Sequence, residues 1–221
     1  ADYQKAMRGE RGFCSSTIDY VRRLRNADVL GIASDASSGG PDDVERFLSA
    51  VVFHLIPGGW FDQNKVSIGR LHLEFMLPGV DHKARQVSPS NVSRLTSTLS
   101  ERLKHRSPYN WFGGLLMPAL GGASARFAQG QAATDLARVA CALERHRLAH
   151  GQYPETLDVL VPALITKLPH DVINGQPLKY RRTNDGMFVL YSVGWNEKDD
   201  GGTVAPNKDK RGINWKEGDW V

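Results

Sequence analysis

The chain has 221 residues, of which 41% are hydrophobic and 24% are charged, and its formal net charge is +4. These values are ordinary for a globular protein with one large domain or two small ones. Acidic and basic residues are interleaved, and clusters such as Arg22–Arg25 are typical of solvated helix faces, so we expect no nucleic-acid partner. No run of 18 apolar residues occurs, so the sequence predicts no membrane span.

The start of the chain and its two cysteines bear on where the protein works. The chain begins at Ala1 rather than at a methionine and shows no signal peptide, so we expect a further upstream segment in the natural protein. Membrane attachment through such a segment is compatible with the sequence.

Cys14 and Cys141 are far apart and form no C-x-x-C pair, which argues against a zinc knuckle or a redox motif. A disulfide and two separate thiols both remain open.

The first part of the chain shows helical patterns. Apolar residues recur three positions apart in the stretch 16–32, which predicts a helix. The stretch 41–56 begins with a proline and three acidic residues, which suit the first turn of a helix, and its apolar residues then fall on one face. The stretch 61–79 is ambiguous between helix and strand and favours helix near its end.

Two further helices are predicted, and the second is the longest in the chain. Residues 88–105 have apolar side chains at helical spacing, with Ser88 or Ser90 as the N-terminal cap. The long helix is predicted over 123–150, where a stripe of leucine, valine and alanine is followed by Gly151, a residue that stops helices in the left-handed conformation.

The pattern then changes to that of strands. The tripeptide Asn184–Gly186 tolerates the positive φ angles of a tight turn, and strands are predicted on both sides of it, over 179–182 and 187–193. The tail, residues 201–221, is polar and rich in glycine, and we expect few strands there. Two tryptophans are predicted to anchor it, Trp215 and Trp220.

Catalytic motifs are scarce. His146 and His150 are four residues apart on the predicted long helix, as in zinc proteases, but Arg147 stands where such a protease needs its glutamate base. We therefore interpret the pair as histidines near a helix C-terminus, where positive charge is favoured. The chain has no G-x-S-x-G nucleophile turn, no P-loop and no G-x-G-x-x-G sequence.

An acidic loop follows the last predicted strand, in "LYSVGWNEKDDGG" (190–202). Asn196, Asp199 and Asp200 carry the oxygen ligands that calcium prefers, although the spacing is not that of an EF-hand. Taken alone, the loop allows three interpretations. It is a metal site, a turn in which aspartates bond their own backbone, or the position of a catalytic acid.

The order of motifs from residue 131 onward resembles the soluble part of a type II secretion major pseudopilin. "DLARVACALERHRLAHGQYP" resembles the end of the family's long helix, "LVPALITKLPHDVINGQPLKY" its crossing into the sheet, and "DGMFVLYSVGWNEKDDGG" its last strand and loop. The chain also resembles long bacterial envelope proteins of planctomycete and verrucomicrobium type that end in this module. Upstream the resemblance stops, because no apolar fibre-forming stretch follows Gly12-Phe13.

The resemblance implies a structural calcium ion in the acidic loop. The family's ligands correspond here to the carbonyl of Val193, to Asn196, and to Asp199 or Asp200. Asn196 replaces a charged ligand with a neutral one, so the expected affinity is lower than that of the family.

These observations together predict an α+β protein with a helical region over 1–118 and a pseudopilin-like module over 119–221, in which one long helix packs on a small antiparallel sheet. The expected function is non-enzymatic: a structural or interaction module of the bacterial cell envelope, on its periplasmic or extracellular face, with protein partners there. The alternative is a hydrolase-type enzyme with a site between the helical region and the sheet. A pocket joining a carboxylate to two or more of four histidines would favour the alternative; these are His54, His72, His82 and His105.

Overall fold

A computed structural model describes residues 3–35, 54–105, 107–120, 122–207, 209 and 211–221. The chain divides into two compact units. The helical unit consists of Asp2–Leu77 and Thr96–Gly121, and the mixed unit consists of Pro78–Leu95 and Gly122–Val221. Long helices occur together with short antiparallel strand pairs, so the predicted α+β class is confirmed.

The division of the chain differs from the expected regions 1–118 and 119–221 mainly in one segment, apart from a shift of the second boundary to Gly121/Gly122. Pro78–Leu95 belongs to the same unit as the C-terminal residues. Val87 lies in an apolar cluster with side chains of the C-terminal half, and its N–H donates a hydrogen bond to the carbonyl of Val172 at 2.8 Å. A contact between residues so far apart in the chain leaves no mark in the local pattern.

The helical unit contains most of the helices. They are, in chain order, α1 (Tyr3–Asp35), α2 (Gly58–Leu71), a π-helical turn (His72–Met76), the second half of α3 (Pro89–Lys104), a 3-10 turn (Pro108–Asn110) and α4 (Trp111–Leu120). The helix predicted over 16–32 is confirmed and already begins at Tyr3. The ambiguous stretch 61–79 is mainly helical. The helix predicted over 41–56 falls largely on residues 36–53, which lie outside the described residues.

An aromatic cluster with one buried amide at its centre organises this unit. Phe61 packs edge-on to Trp60 with ring centroids 4.9 Å apart, and Phe112 lies 5.5 Å from the same tryptophan ring. Asn64 is fully buried beside them. Its amide nitrogen donates to the carbonyls of Trp60 and Pro108, and its oxygen accepts from the N–H of Phe112. Asn64 therefore ties three segments together without leaving any of its own polar atoms unsatisfied.

The mixed unit combines the longest helix with short strands. After a 3-10 turn (Leu77–Gly79), its elements are β1 (Val80–Asp81), β2 (Gln86–Val87), the first half of α3, α5 (Ala123–His150), a 3-10 turn (Leu157–Leu160), β3 (Lys179–Arg182), β4 (Phe188–Tyr191), β5 (Val204–Pro206) and β6 (Ile213–Gly218). The described strands form three antiparallel pairs, β1–β2, β3–β4 and β5–β6. The predicted small sheet therefore consists of separate two-stranded pairs.

The helix ends and the hairpin turn follow the sequence signals closely. The hydroxyl of Ser88 accepts the N–H of Asn91 at the start of α3, as expected of a cap. Helix α5 ends at Gly151, whose φ of +79° is left-handed, and the N–H of this glycine bonds the carbonyl of Arg147 at 2.7 Å. Gly186, with φ of +80°, turns the chain between β3 and β4.

The expectation of few strands in the tail is wrong, because β5 and β6 pair there. The tail is anchored to the end of β4 by Trp220, which exchanges two backbone hydrogen bonds of 3.0 Å with Ser192. The indole N–H of Trp220 also bonds the carbonyl of Trp215 at 2.9 Å. Both tryptophans thus contribute to the anchor that the sequence predicted.

Two further findings answer questions raised by the sequence. Cys14 is buried in the helical unit and Cys141 is exposed in the mixed unit, and both are free thiols rather than a disulfide. Burial raises the pKa of the Cys14 thiol. Among the helices in the described part of the chain, none is both long and apolar enough to cross a bilayer.

Candidate functional site

The acidic loop predicted from the sequence closes the mixed unit. We call residues 194–202 the closing loop; it leads from the end of β4 to β5. It begins at Gly194, where a Cβ atom would lie only 1.8 Å from the carbonyl oxygen of Gly218. The chain therefore makes a backbone-to-backbone contact at this point that only glycine allows.

The buried side chain of Asp171 fixes the end of β4, just before the closing loop begins. This aspartate is almost fully buried. One carboxylate oxygen accepts the N–H of Ile173 at 2.8 Å and the hydroxyl of Ser192 at 2.9 Å, and the other accepts the N–H of Val193 at 2.8 Å. Burial raises the pKa of Asp171, and these three hydrogen bonds oppose that rise. The aspartate holds the chain in position immediately before the loop starts.

The four predicted calcium ligands do not form one group. Asn196 donates to a carboxylate oxygen of Asp200 at 2.8 Å, so these two side chains meet on the outer side of the loop. Asp199 instead accepts the phenol of Tyr191 at 2.9 Å, and its second oxygen lies 3.3 Å from the ammonium of Lys179. The carbonyl of Val193 accepts the hydroxyl of Ser192 at 3.1 Å. The structure brings together one predicted pair and directs Asp199 elsewhere.

Hydrogen bonding keeps Asp199 ionised. The pKa of Asp199 is lowered mainly by the phenol of Tyr191, then by the N–H of Gly201 at 3.1 Å and by Lys179. Several loop residues bond their own backbone as well: the amide oxygen of Asn196 accepts the N–H of Lys198. The turn interpretation of the loop is therefore observed directly, and it leaves acidic oxygens at the surface of the loop.

A further acid, Asp219, connects the loop to the tail, and the sequence did not indicate it. Asp219 is only 1% exposed, and one of its carboxylate oxygens accepts the N–H groups of Asp200 at 3.0 Å and Gly202 at 2.7 Å. Its other oxygen, Oδ1, is buried and has no hydrogen-bond partner. The available signal was weak, because Asp219 was marked only by its place beside Trp220, the predicted anchor of the tail.

The donors around the closing loop are of the type that calcium takes, namely carboxylate, amide and carbonyl oxygens. In the part of the chain that the structure describes, no three His, Cys, Asp or Glu side chains form a ready metal group. A calcium site can also use the oxygen atoms of side-chain amides and backbone carbonyls, so it does not need three such side chains. The buried, unpartnered Oδ1 of Asp219 gives such a site an unused acceptor, because a buried carboxylate oxygen without a partner is costly.

The histidines of the alternative interpretation are dispersed. His72 is buried in the helical unit, where its Nδ1 lies 3.1 Å from the carbonyl of Ile68. His54, His82 and His105 are exposed. Three cavities are lined by described residues, one in the mixed unit and two in the helical unit, and none of the four histidines lines them. No pairing of two of these histidines with a carboxylate is seen in these cavities.

No protein-family model matches the chain, and neither a curated protein nor a solved structure shows significant similarity to it.

Proposed function

We propose that the mixed unit is a non-enzymatic structural and interaction module of the bacterial cell envelope, similar in plan to the soluble part of a major pseudopilin. Three features support this, each in the expected order along the chain: the long helix α5, the hairpin β3–β4, and a closing loop sealed by the tail. The helical unit is then an addition to the pseudopilin plan, and the expected partners of the protein are other proteins of the envelope.

We propose that a calcium ion binds to the closing loop and stabilises its conformation. The observation that carries this proposal is the buried carboxylate of Asp219, which receives two N–H groups of the loop and has a second oxygen without a partner. Asn196, Asp199, Asp200 and the carbonyl of Val193 are the proposed additional ligands. Asp199 joins them by releasing the phenol of Tyr191.

Weak affinity fits the proposed location. The neutral Asn196 and the existing hydrogen bonds of Asp199 both reduce the net gain on binding a cation. Calcium sites of extracellular modules bind at about 0.1–1 mM, which suits a compartment where calcium is abundant. The role of the ion is mechanical: it holds the tail against the end of β4 and so keeps the module rigid.

The proposal is tested by calcium titration of the melting temperature. At 10 mM calcium, a site with this affinity stabilises the protein by about 1.4–2.7 kcal/mol, which raises the melting temperature by about 3–11 °C. Asp219→Asn keeps one oxygen for the two loop N–H groups and removes the negative charge, so we expect it to abolish the rise. Asp199→Ala is expected to do the same.

The matched control is Asp158→Ala, which removes an exposed acid of the same unit outside the loop and leaves the calcium response intact. Magnesium at the same concentration controls for general screening of charge. If 10 mM calcium does not raise the melting temperature of the wild-type protein, the proposal of a calcium site is rejected. If Asp219→Asn responds as fully as the wild type, Asp219 is not a ligand.

The envelope location has its own test, because it rests on the resemblance rather than on the loop. Cell fractionation is the measurement, and recovery of the protein with the membrane or the periplasm is the expected result. Recovery of the protein in the cytoplasmic fraction would contradict the envelope location. The calcium proposal would still stand, because it is tested separately.

A further inference from the structure

Two histidine rings are stacked at the end of the long helix. His146 and His150 lie four residues apart on the last turns of α5, with ring centroids 4.1 Å apart and planes inclined by 18°. His146 is 9% exposed and His150 is exposed. One ring is therefore held by packing while the other faces solvent beside it.

The hydrogen bonds of the two rings fix where their protons are. Nδ1 of His146 lies 3.2 Å from the carbonyl of Gln152, and Nδ1 of His150 lies 3.0 Å from the carbonyl of His146. A carbonyl oxygen only accepts, so in each neutral ring Nδ1 carries the proton and donates it. The lone pair of each ring is then on Nε2. A metal-binding histidine is usually oriented in this way, with its other nitrogen donating to a carbonyl or carboxylate.

We propose that His146 and His150 form a binding site for a divalent transition-metal ion that prefers imidazole, namely Cu²⁺, Ni²⁺ or Zn²⁺, through the two Nε2 atoms. Metal–nitrogen bonds are about 2.0–2.1 Å long, so two nitrogens on a tetrahedral ion are about 3.4 Å apart. The two rings are nearly parallel, with centroids 4.1 Å apart, so their lone pairs point side by side in the unbound protein. Binding therefore requires the exposed ring of His150 to rotate until the two Nε2 lone pairs converge on one ion. Water fills the remaining positions.

The electrostatic surroundings favour a cation at this position. The last carbonyls of a helix carry the negative end of its dipole, and both histidines lie in that final stretch of α5. Two arginines are close to the histidines in the sequence. The charge of Arg147 is balanced by Glu144 at 2.7 Å, and its guanidinium lies over the ring of Tyr153. Arg145 is exposed, and its repulsion is therefore screened by salt.

The site is structural rather than hydrolytic. The glutamate that serves as the base of a zinc protease is absent, because Arg147 follows His146. The metal would link the last two turns of α5, and the hydrogen bond from Nδ1 of His146 to the carbonyl of Gln152 would connect this helix end to the chain beyond Gly151. This site is independent of the closing loop, because calcium prefers oxygen ligands and these transition metals accept imidazole.

The test is Cu²⁺ and Ni²⁺ titration of the intact protein by calorimetry, with electron paramagnetic resonance of the Cu²⁺ complex. We expect one site per chain with two nitrogen ligands, and binding that weakens as the solution is acidified, because the ligands must be deprotonated. His150→Gln is the principal variant, since an exposed ring is removed with little loss of packing. It is expected to lower the affinity at least tenfold.

His105→Gln, which removes an exposed histidine of the helical unit, is the matched control and should leave the affinity unchanged. Equal affinity of His150→Gln and the wild type overturns the proposal. So does a Cu²⁺ spectrum with a single nitrogen ligand, or a loss in His105→Gln as large as that in His150→Gln.

Discussion

The described residues of the two units differ in the polar groups that they bury. In the helical unit the buried side chains are mostly apolar, and the polar exceptions are Asn64, which is fully bonded, and His72, whose Nε2 has no partner. In the mixed unit Asp171 and Asp219 accept backbone N–H groups that no strand pairs. A unit with short strands and long loops needs such acceptors, because buried N–H groups must be bonded to something.

The largest expected effect lies in the helical unit and tests the apolar side of the comparison. Phe61 is 0% exposed and packs against the ring of Trp60. Phe61→Ala should lower the free energy of unfolding by about 3–5 kcal/mol, because the cavity adds to the lost transfer energy. Chemical denaturation followed by tryptophan fluorescence measures the change. Phe13→Ala, at a position 66% exposed, is the control and should change stability by no more than about 0.5 kcal/mol.

The next effect tests the polar side, in the mixed unit. Asp171→Ala leaves the N–H groups of Ile173 and Val193 buried without an acceptor, so we expect a loss of about 2–4 kcal/mol. Asp171→Asn should fall between wild type and alanine, because its amide keeps one acceptor oxygen. Asp158→Ala controls for the removal of an acid at an exposed position. A loss of under about 0.5 kcal/mol for Asp171→Ala would show that the loops do not depend on this carboxylate.

The smallest expected effect is a difference between the two units in how their stability depends on pH. Burial lowers the pKa of His72, and the hydrogen bond to the carbonyl of Ile68 partly opposes this; Arg11 lowers the pKa further and Glu10 raises it. The unfolded histidine takes up a proton near pH 6.5 while the folded one stays neutral, so this contribution to stability is present above that value and is lost as the pH falls through the folded pKa. The pKa of Asp171 is raised, so its contribution is present at low pH and is lost as the pH rises through the folded pKa.

Acidification from pH 7.5 to 5.5 should therefore weaken the helical unit through His72, while Asp171 contributes no loss to the mixed unit. Hydrogen exchange, corrected for the intrinsic pH dependence of the amides, resolves the two units. In His72→Gln the selective weakening should disappear. Equal weakening of both units in the wild-type protein, or an unchanged response in the variant, contradicts the assignment to His72.

The parts of the fold that were predicted depend on neighbours in the sequence. Helix α5 was predicted with both its ends because the apolar stripe is regular and Gly151 follows it at once. The β3–β4 hairpin was predicted because Asn184–Gly186 specify a turn by themselves. Each of these signals is complete within a few residues, so no knowledge of the tertiary structure was needed.

The parts that were missed depend on partners far along the chain. Strand β5 has only three residues and ends in a proline, and the apolar–polar alternation of β6 is limited to its first four residues, so the local pattern does not specify their pairing. The tail is stabilised by the contact of Trp220 with Ser192. Asp219 is part of the candidate site only because it accepts N–H groups of Asp200 and Gly202. Nothing in the sequence next to Asp219 distinguishes a buried acid from a solvated one.

The contact between Gly194 and the carbonyl of Gly218 has a consequence for finding relatives of this protein. A methyl group at position 194 would coincide with that oxygen, and Gly218 itself has a φ of +72° and has backbone atoms within 3 Å of where a Cβ would stand. The closure therefore requires glycine at both positions. A chain that closes its loop in this way should carry glycine at the two corresponding positions even where the rest of its loop differs.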